Sequence, residues 1–344
     1  MKRLFILIFL IGLLSCENQE VDFPDFEYTS GYFPYQYPIR TLVLGDYIYD
    51  NTNDNNHKFV VSATMGGVYE NKETRVFKYI VDESLCTNAF FEDGSPIRPL
   101  PKSYYQLSNE EEIIIEPGSI TGGVEVQLTD DFFNDPRAIR NTYVLPLRLT
   151  GVINLDTLVQ GKSASLSADP RVASDWEILP KHFTMFGVKY INPFHGKFLY
   201  FGASSVSQNN TVLESNTYST QYIEQNEVLK LNTTGRTQVS MIATFKASTF
   251  SGNFEMLLNF ASENYDSTEG VACTIEQAKG TPYTIQGTGK YMSKTEEWGN
   301  KQRDAIYLSY TVDDDVNVYS ANDTLVLRDR DVVMEVYSPT IKIP

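Results

Sequence analysis

Few side chains in this chain are equipped for chemistry. Only His57, His182 and His195 could serve as a general base or a nitrogen ligand. No GxSxG elbow, HExxH pair, phosphate loop or dinucleotide fingerprint accompanies them. His57 stands in a polar loop and His182 in the linker region. His195 has the most distinctive setting, Asn192-Pro193-Phe194-His195-Gly196, where the plain reading is a turn imidazole capping backbone groups. The 44 acidic residues could supply many carboxylate pairs for glycoside hydrolysis, but sequence cannot place a pair in space. No catalytic residue is assigned, and the chain reads as a non-enzyme. The loop of residues 50–56 has acids and amides at near-calcium spacing. Thr52 takes an acidic ligand position there, and Asn55 replaces the sharp-turn glycine. No metal or cofactor is expected.

Aromatic side chains are the better prospect, because sugar recognition needs flat apolar faces beside hydrogen-bonding groups. Trp298 lies between Glu296-Glu297 and Gly299-Asn300 and is the first platform candidate. Tyr291 and Tyr283 are near it in sequence, and His195 completes the candidate ligand-binding set. The competing role for Trp298 is a plug at one end of its domain, stacked on Arg303.

The start of the chain speaks to location. Lys2 and Arg3 precede an apolar run over residues 4–14, followed by Ser15 and Cys16. A membrane span takes about 20 apolar residues, so this shorter run reads as a signal peptide. Residues 1–15 form the leader, and residues 16–22 an acidic tether. The formal charge of −16 argues against nucleic acid as a partner. Cys86 and Cys273 are far apart and read as buried free thiols, one per domain, with an interdomain disulfide as the alternative.

These groups must be positioned by strands. Tyr (22) and Phe (20) are abundant, and no long 3.6-residue period exists beyond the leader, so the fold class is all-β. Residues 23–160 hold several short strands between turns and read as an immunoglobulin-like β-sandwich. In that domain Pro146 marks the strand around it as an edge. Residues 161–180, rich in Ser and Ala, read as a linker. Residues 181–344 hold longer strands with strict alternation. Val239, Met241, Ala243 and Phe245 share one face, as do Phe254, Met256, Leu258 and Phe260. Ile306, Leu308, Tyr310 and Val312 repeat the pattern. An antiparallel β-barrel closes such a meander with no exposed edge, and a second sandwich is the alternative.

Several motifs resemble known families. Leu13-Leu14-Ser15-Cys16 resembles the lipobox of bacterial lipoproteins, which implies lipidation of Cys16. Residues 33–45, 63–71, 82–86 and 124–135 resemble an N-terminal domain of unknown function in Bacteroidetes surface lipoproteins. Such domains stand ahead of glycoside hydrolase or lectin-like domains in glycan-utilisation clusters. Residues 189–202, Gly287-Thr288-Gly289-Lys290-Tyr291 and Trp298-Gly299-Asn300-Lys301 resemble the second, calycin-like (lipocalin-related) domain of the same group. Asp156-Thr157-Leu158 and Asp323-Thr324-Leu325 match the O-glycosylation pattern of that phylum. The resemblance implies a lipid anchor in the outer membrane, facing outward. It also implies a glycan or glycoconjugate ligand and a place beside an outer-membrane uptake complex. Cell adhesion through a protein or matrix partner is the alternative, and a hydrolase without a recognisable motif comes third.

Overall fold

The computed structural model describes residues 26–165 and 167–342, so the leader, Cys16 and the tether lie outside the described residues. Runs of β-branched and aromatic residues punctuated by Gly, Asn and Asp give strands throughout. The first unit is a sandwich of two sheets. One contains β1 (Ser30–Tyr32), β3 (Lys58–Gly66), β7 (Tyr105–Leu107), β9 (Thr121–Leu128) and β11 (Thr157–Leu158), in the order β11-β1-β3-β9-β7. The other contains β2 (Pro38–Val43), β4 (Arg75–Val81), β8 (Glu112–Ile115), β10 (Tyr143–Ile153), β12 (Phe183–Ile191) and β22 (Glu335–Val336), in the order β22-β2-β12-β10-β4-β8, with β6 (Arg98–Pro99) paired to β10. Phe33, Phe59, Phe77, Ile113, Val126 and Leu147 fill the space between the sheets.

The second sheet is covered on its outer face as well. Leu85, Cys86, Phe91, Ile97, Phe183, Met185 and Tyr337 form a small separate core there. β12 is therefore buried on both sides: Val188 and Tyr190 point into the main core, Phe183 and Met185 into the small one. It runs parallel to β2 and antiparallel to β10, between them. The division placed at residues 161–180 thus separates strands that are hydrogen-bonded together. Those residues form a loop of the first unit, tied down by Arg171, which donates to the carbonyls of Leu85 and Thr87 at 2.9 and 2.7 Å. The change of unit falls at the Asn192–His195 turn. Pro146 is not at an edge either, since β10 lies between β12 and β4. Its missing N–H costs no ladder bond, because β4 ends one residue short of it while Asp82 N–H still donates to its carbonyl at 2.9 Å.

The second unit is a closed eight-stranded antiparallel barrel. Its strands are β13 (Gly196–Gln208), β15 (Glu227–Thr233), β16 (Gln238–Thr244), β17 (Asn253–Phe260), β18 (Val271–Gln277), β19 (Thr284–Trp298), β20 (Lys301–Asp313) and β21 (Val318–Asp329). β14 (Thr211–Tyr218) pairs with the far half of β13, and β21 pairs back on β13 to close the cylinder. That closure sets aside the second-sandwich alternative. Every alternating apolar residue named above for 239–245, 254–260 and 306–312 lies in the barrel core. The barrel begins at Gly196 and ends at Asp329 on the same side, facing the sandwich. The chain then returns: β22 pairs with β2, and β23 (Thr340–Ile341) pairs with β5 (Ala89–Phe90). Tyr337 on this returning strap donates its hydroxyl to the Met185 carbonyl at 2.8 Å. Cys86 and Cys273 are buried and unbridged, one in each unit.

Candidate functional site at the domain junction

Arg330 organises the junction. It is 4 % exposed and has no carboxylate partner among the described residues. Its guanidinium donates instead to four carbonyls: Leu44 at 2.9 Å, Asp46 at 2.8 Å, Asn192 at 2.7 Å and His195 at 2.8 Å. Two of these belong to the sandwich and two to the turn that leads into the barrel. Burial lowers its pKa to about 10, offset in part by Tyr291 and Asp304. The units can approach this closely because residue 45 is glycine, with φ +93°; a Cβ there would lie 2.9 Å from the Pro193 Cα.

A loop carrying Tyr47, Ile48 and Tyr49 follows Gly45. Its base is rigid. Asn51 donates to the carbonyls of Val43 and Gly45 at 2.7 Å each, and Asn55 accepts from Gly45 N–H at 2.8 Å. Asp54, buried in the one-turn helix Thr52–Asn55, accepts from Val43 N–H at 2.9 Å and pairs with Arg40. The residues that resembled an incomplete calcium loop are thus the footing of an aromatic loop. Among the described residues no group of three or more His, Cys, Asp or Glu converges as a metal site. Tyr47 and Tyr49 meet edge to face at 5.4 Å, and Tyr49 is 68 % exposed.

This loop forms one wall of a cleft of about 550 Å³ between the units. The barrel supplies the other wall through the start of β20 (Lys301 to Asp304) and the end of β21. The returning strap, with Val332 and Val333, forms the floor shared with an adjoining cleft of about 430 Å³ on the far side of the tyrosines. Lys197 in the cleft is paired with Asp331 at 2.5 Å. Asp304 accepts from Lys294 N–H at 3.0 Å.

The residues singled out in the sequence do not converge. Trp298 sits on the outer face of the barrel, with Leu199, Phe201, Ala305 and Val326, and so is not an end plug. Its indole N–H donates to the Leu327 carbonyl at 3.1 Å, and the Arg303 guanidinium lies 4.3 Å from its ring. It thereby backs the cleft wall without facing into it. Tyr291 is inside the barrel, edge-on to Phe194 at 5.2 Å, and its buried hydroxyl is near Asp304, with no well-formed hydrogen bond among the described residues. Tyr283 is at the opposite end of the barrel, against Phe245 at 5.4 Å. His195 is 9 % exposed, and its Nδ1 accepts from Thr233 N–H at 3.0 Å, which fixes the proton on Nε2. Burial, then Arg330 and Lys230, lower its pKa to about 3. His57 packs on Phe133 with ring centroids 4.0 Å apart, and His182 lies edge-on to Phe183.

A second polar cluster was not anticipated. Asp323 points into the barrel at 2 % exposure and accepts from the hydroxyls of Tyr200 at 3.2 Å, Tyr310 at 2.7 Å and Tyr218. Burial raises its pKa despite those bonds. Gly202 makes room, since a Cβ there would lie 2.5 Å from Asp323 Oδ1. Thr324 beside it is mid-strand, paired to β13 and β20, so the Asp-Thr-Leu match at 323–325 belongs to barrel construction.

Comparison with known proteins adds family context. A family model described as a domain of unknown function (DUF5627) matches residues 193–331, the extent of the barrel from the Asn192–His195 turn to the start of the strap. A model described as a "-like, N-terminal domain" matches residues 26–156 and so omits β12 and the strap that complete that sandwich. No curated protein matches the chain. A solved structural-genomics protein of unknown function from Bacteroides ovatus is 38% identical, over 92% of this chain and 100% of that one, with a TM-score of 0.84. A second B. ovatus structure of unknown function is 12% identical over 90% of this chain and 100% of its own, with a TM-score of 0.42. An auxiliary nutrient binding protein from Bacteroides thetaiotaomicron is 11% identical over 86% and 95%, with a TM-score of 0.35.

Proposed function

This chain belongs to the family of the 38% identical Bacteroides ovatus protein, and from that premise we propose that it is a non-catalytic glycan- or glycoconjugate-binding accessory protein. One observation carries the reading: half-buried Tyr47 and exposed Tyr49, on a rigid footing, wall a junction cleft whose other surfaces are rich in hydrogen-bonding groups. Tyrosine faces stack on sugar rings, and the adjoining clefts on either side of the pair suit a chain several residues long. Screening the protein on a glycan array and titrating the best binder tests this. Tyr49→Ala is expected to weaken affinity by about 1–3 kcal/mol with an unchanged melting temperature. Unaltered affinity would remove the cleft from the account.

Attachment to the outer membrane through lipidated Cys16, facing outward beside a nutrient-uptake complex, is part of the same proposal. Its support is the Leu13-Leu14-Ser15-Cys16 motif after a short apolar leader. Cys16→Ala is expected to abolish fatty-acid labelling and leave the leader uncleaved. Labelling equal to the parent would sink the anchor.

A second reading, adhesion to a protein, is favoured by exposed Ile48, Val333 and Met334, which line the two adjoining clefts. A blank glycan array, with a matrix-protein signal abolished by Met334→Asp, would move the assignment there.

A further inference from the structure

The cleft contains cations of two kinds. Lys197 is held by Asp331, Arg330 by four carbonyls, and Arg328 lies 3.8 Å from Asp329. Lys301 and Arg303 are different: neither has an ion pair or a side-chain hydrogen bond among the described residues. In a chain with a formal charge of −16, two adjacent unmatched cations are unexpected. They are two residues apart near the start of β20 and therefore share a face of that strand. Arg303 is also pre-positioned, its guanidinium supported by the Trp298 ring at 4.3 Å. Its Nε is buried and donates to no acceptor among the described residues. A flat guanidinium fork matches the two coplanar oxygens of a carboxylate.

We infer that the saccharide taken by this cleft carries a carboxylate, as a uronic acid does, seated on Arg303 and Lys301. The inference rests on the glycan-binding reading above and specifies its ligand class. Asp46 on the sandwich wall forms no salt bridge among the described residues, Arg330 holding only its backbone carbonyl, so its carboxylate is left to accept sugar hydroxyls. The ligand's orientation follows: acid group toward β20, ring faces toward Tyr47 and Tyr49. A backed aromatic, Trp298, thus contributes by holding a cation, with the stacking platform supplied by the other domain.

The test uses the full mature chain and a panel of oligogalacturonates, oligoglucuronates and oligomannuronates. Each is paired with its carboxyl-reduced counterpart, and sulfated neutral oligosaccharides form a third arm. At least one uronate should bind ten-fold or more tightly than its reduced partner, with the advantage falling as salt rises. Arg303→Gln should shrink that advantage to about three-fold or less. Lys301→Gln, an exposed change that cannot unfold the barrel, should reduce it in the same direction. Reduced sugars binding as well as uronates would overturn the inference and leave the glycan reading intact. So would sulfated sugars binding as well, or discrimination unaffected in both variants. Silence from every arm, neutral and acidic alike, would instead overturn the glycan reading and the inference with it.

Discussion

Inside the barrel, Asp323 is surrounded by three tyrosine hydroxyls; at the junction, Arg330 is surrounded by four backbone carbonyls. Both are buried charges matched by neutral dipoles in place of a counter-ion. The environments differ in what they hold together. The tyrosines come from β13, β14 and β20 of one cylinder, so Asp323 stabilises a single unit. The carbonyls come from two units, so Arg330 fixes the position of one against the other and with it the width of the cleft. The regions also answer acid with opposite signs. Asp323 has a raised pKa when folded, so its contribution is present in acid and is lost as pH rises through that value. His195, bonded into the junction beside Arg330, has a pKa lowered to about 3. The unfolded chain therefore takes up its proton first, and its contribution is present above about pH 6.5 and lost as pH falls toward 3.

The sharpest way to break this comparison is Arg330→Met. It orphans four carbonyls at once and is expected to cost about 3–5 kcal/mol in denaturant unfolding. Hydrogen exchange should rise around Leu44 and Asn192 while the far end of the barrel stays protected. Uniform exchange through both units would refute the division of labour. Asp323→Ala comes next. Three buried hydroxyls lose their acceptor, and about 3 kcal/mol should be lost from the barrel. Asp323→Asn keeps an acceptor and should stay within about 1 kcal/mol of the parent at pH 7. The parent should gain on that variant as pH drops toward 4, and a constant gap would remove the acid from the pH account. The smallest effect is the His195 titration. From pH 7 to 5 the junction should lose about 2 kcal/mol, given a shift of the cited size, with Lys189, Lys230 and Asp331 as charged neighbours. His195→Gln should flatten that slope. A slope of the same size in the variant would assign it elsewhere.

The barrel was largely legible in the sequence because most of its strand length buries one face, and one-sided burial writes alternation into residues 239–245, 254–260 and 306–312. β12 was not. Buried on both faces, it shows no clean alternation, only a mostly apolar stretch broken by Thr184 and Lys189, and such a stretch belongs equally well to either neighbour. The Ser- and Ala-rich stretch before it marks a loop, but composition does not tell a loop within a unit from one between units. Trp298, Tyr291 and Tyr283 looked like a cluster because they are near in sequence. They lie on or beside one 15-residue strand, and at about 3.3 Å per residue its ends are roughly 50 Å apart. Asp323 did carry a signal, being in phase with Tyr319, Ala321 and Leu325 on the buried face. Tyr47 and Tyr49 carried a weaker one, two aromatics set among turn residues where no core could claim them.

The returning strap has a consequence in time. Synthesis and export both deliver residues in order, and Tyr337, which fills the outer core of the sandwich, follows every strand of the barrel. The domain whose synthesis starts first is therefore the one completed last. While the barrel is being made, β2 has no β22 beside it and the pocket around Phe91 and Phe183 is open. The barrel needs nothing beyond Asp329 to close on β13, so it can fold before its predecessor is sealed. The junction cleft, floored by Val332 and Val333, comes into existence only with that final stroke.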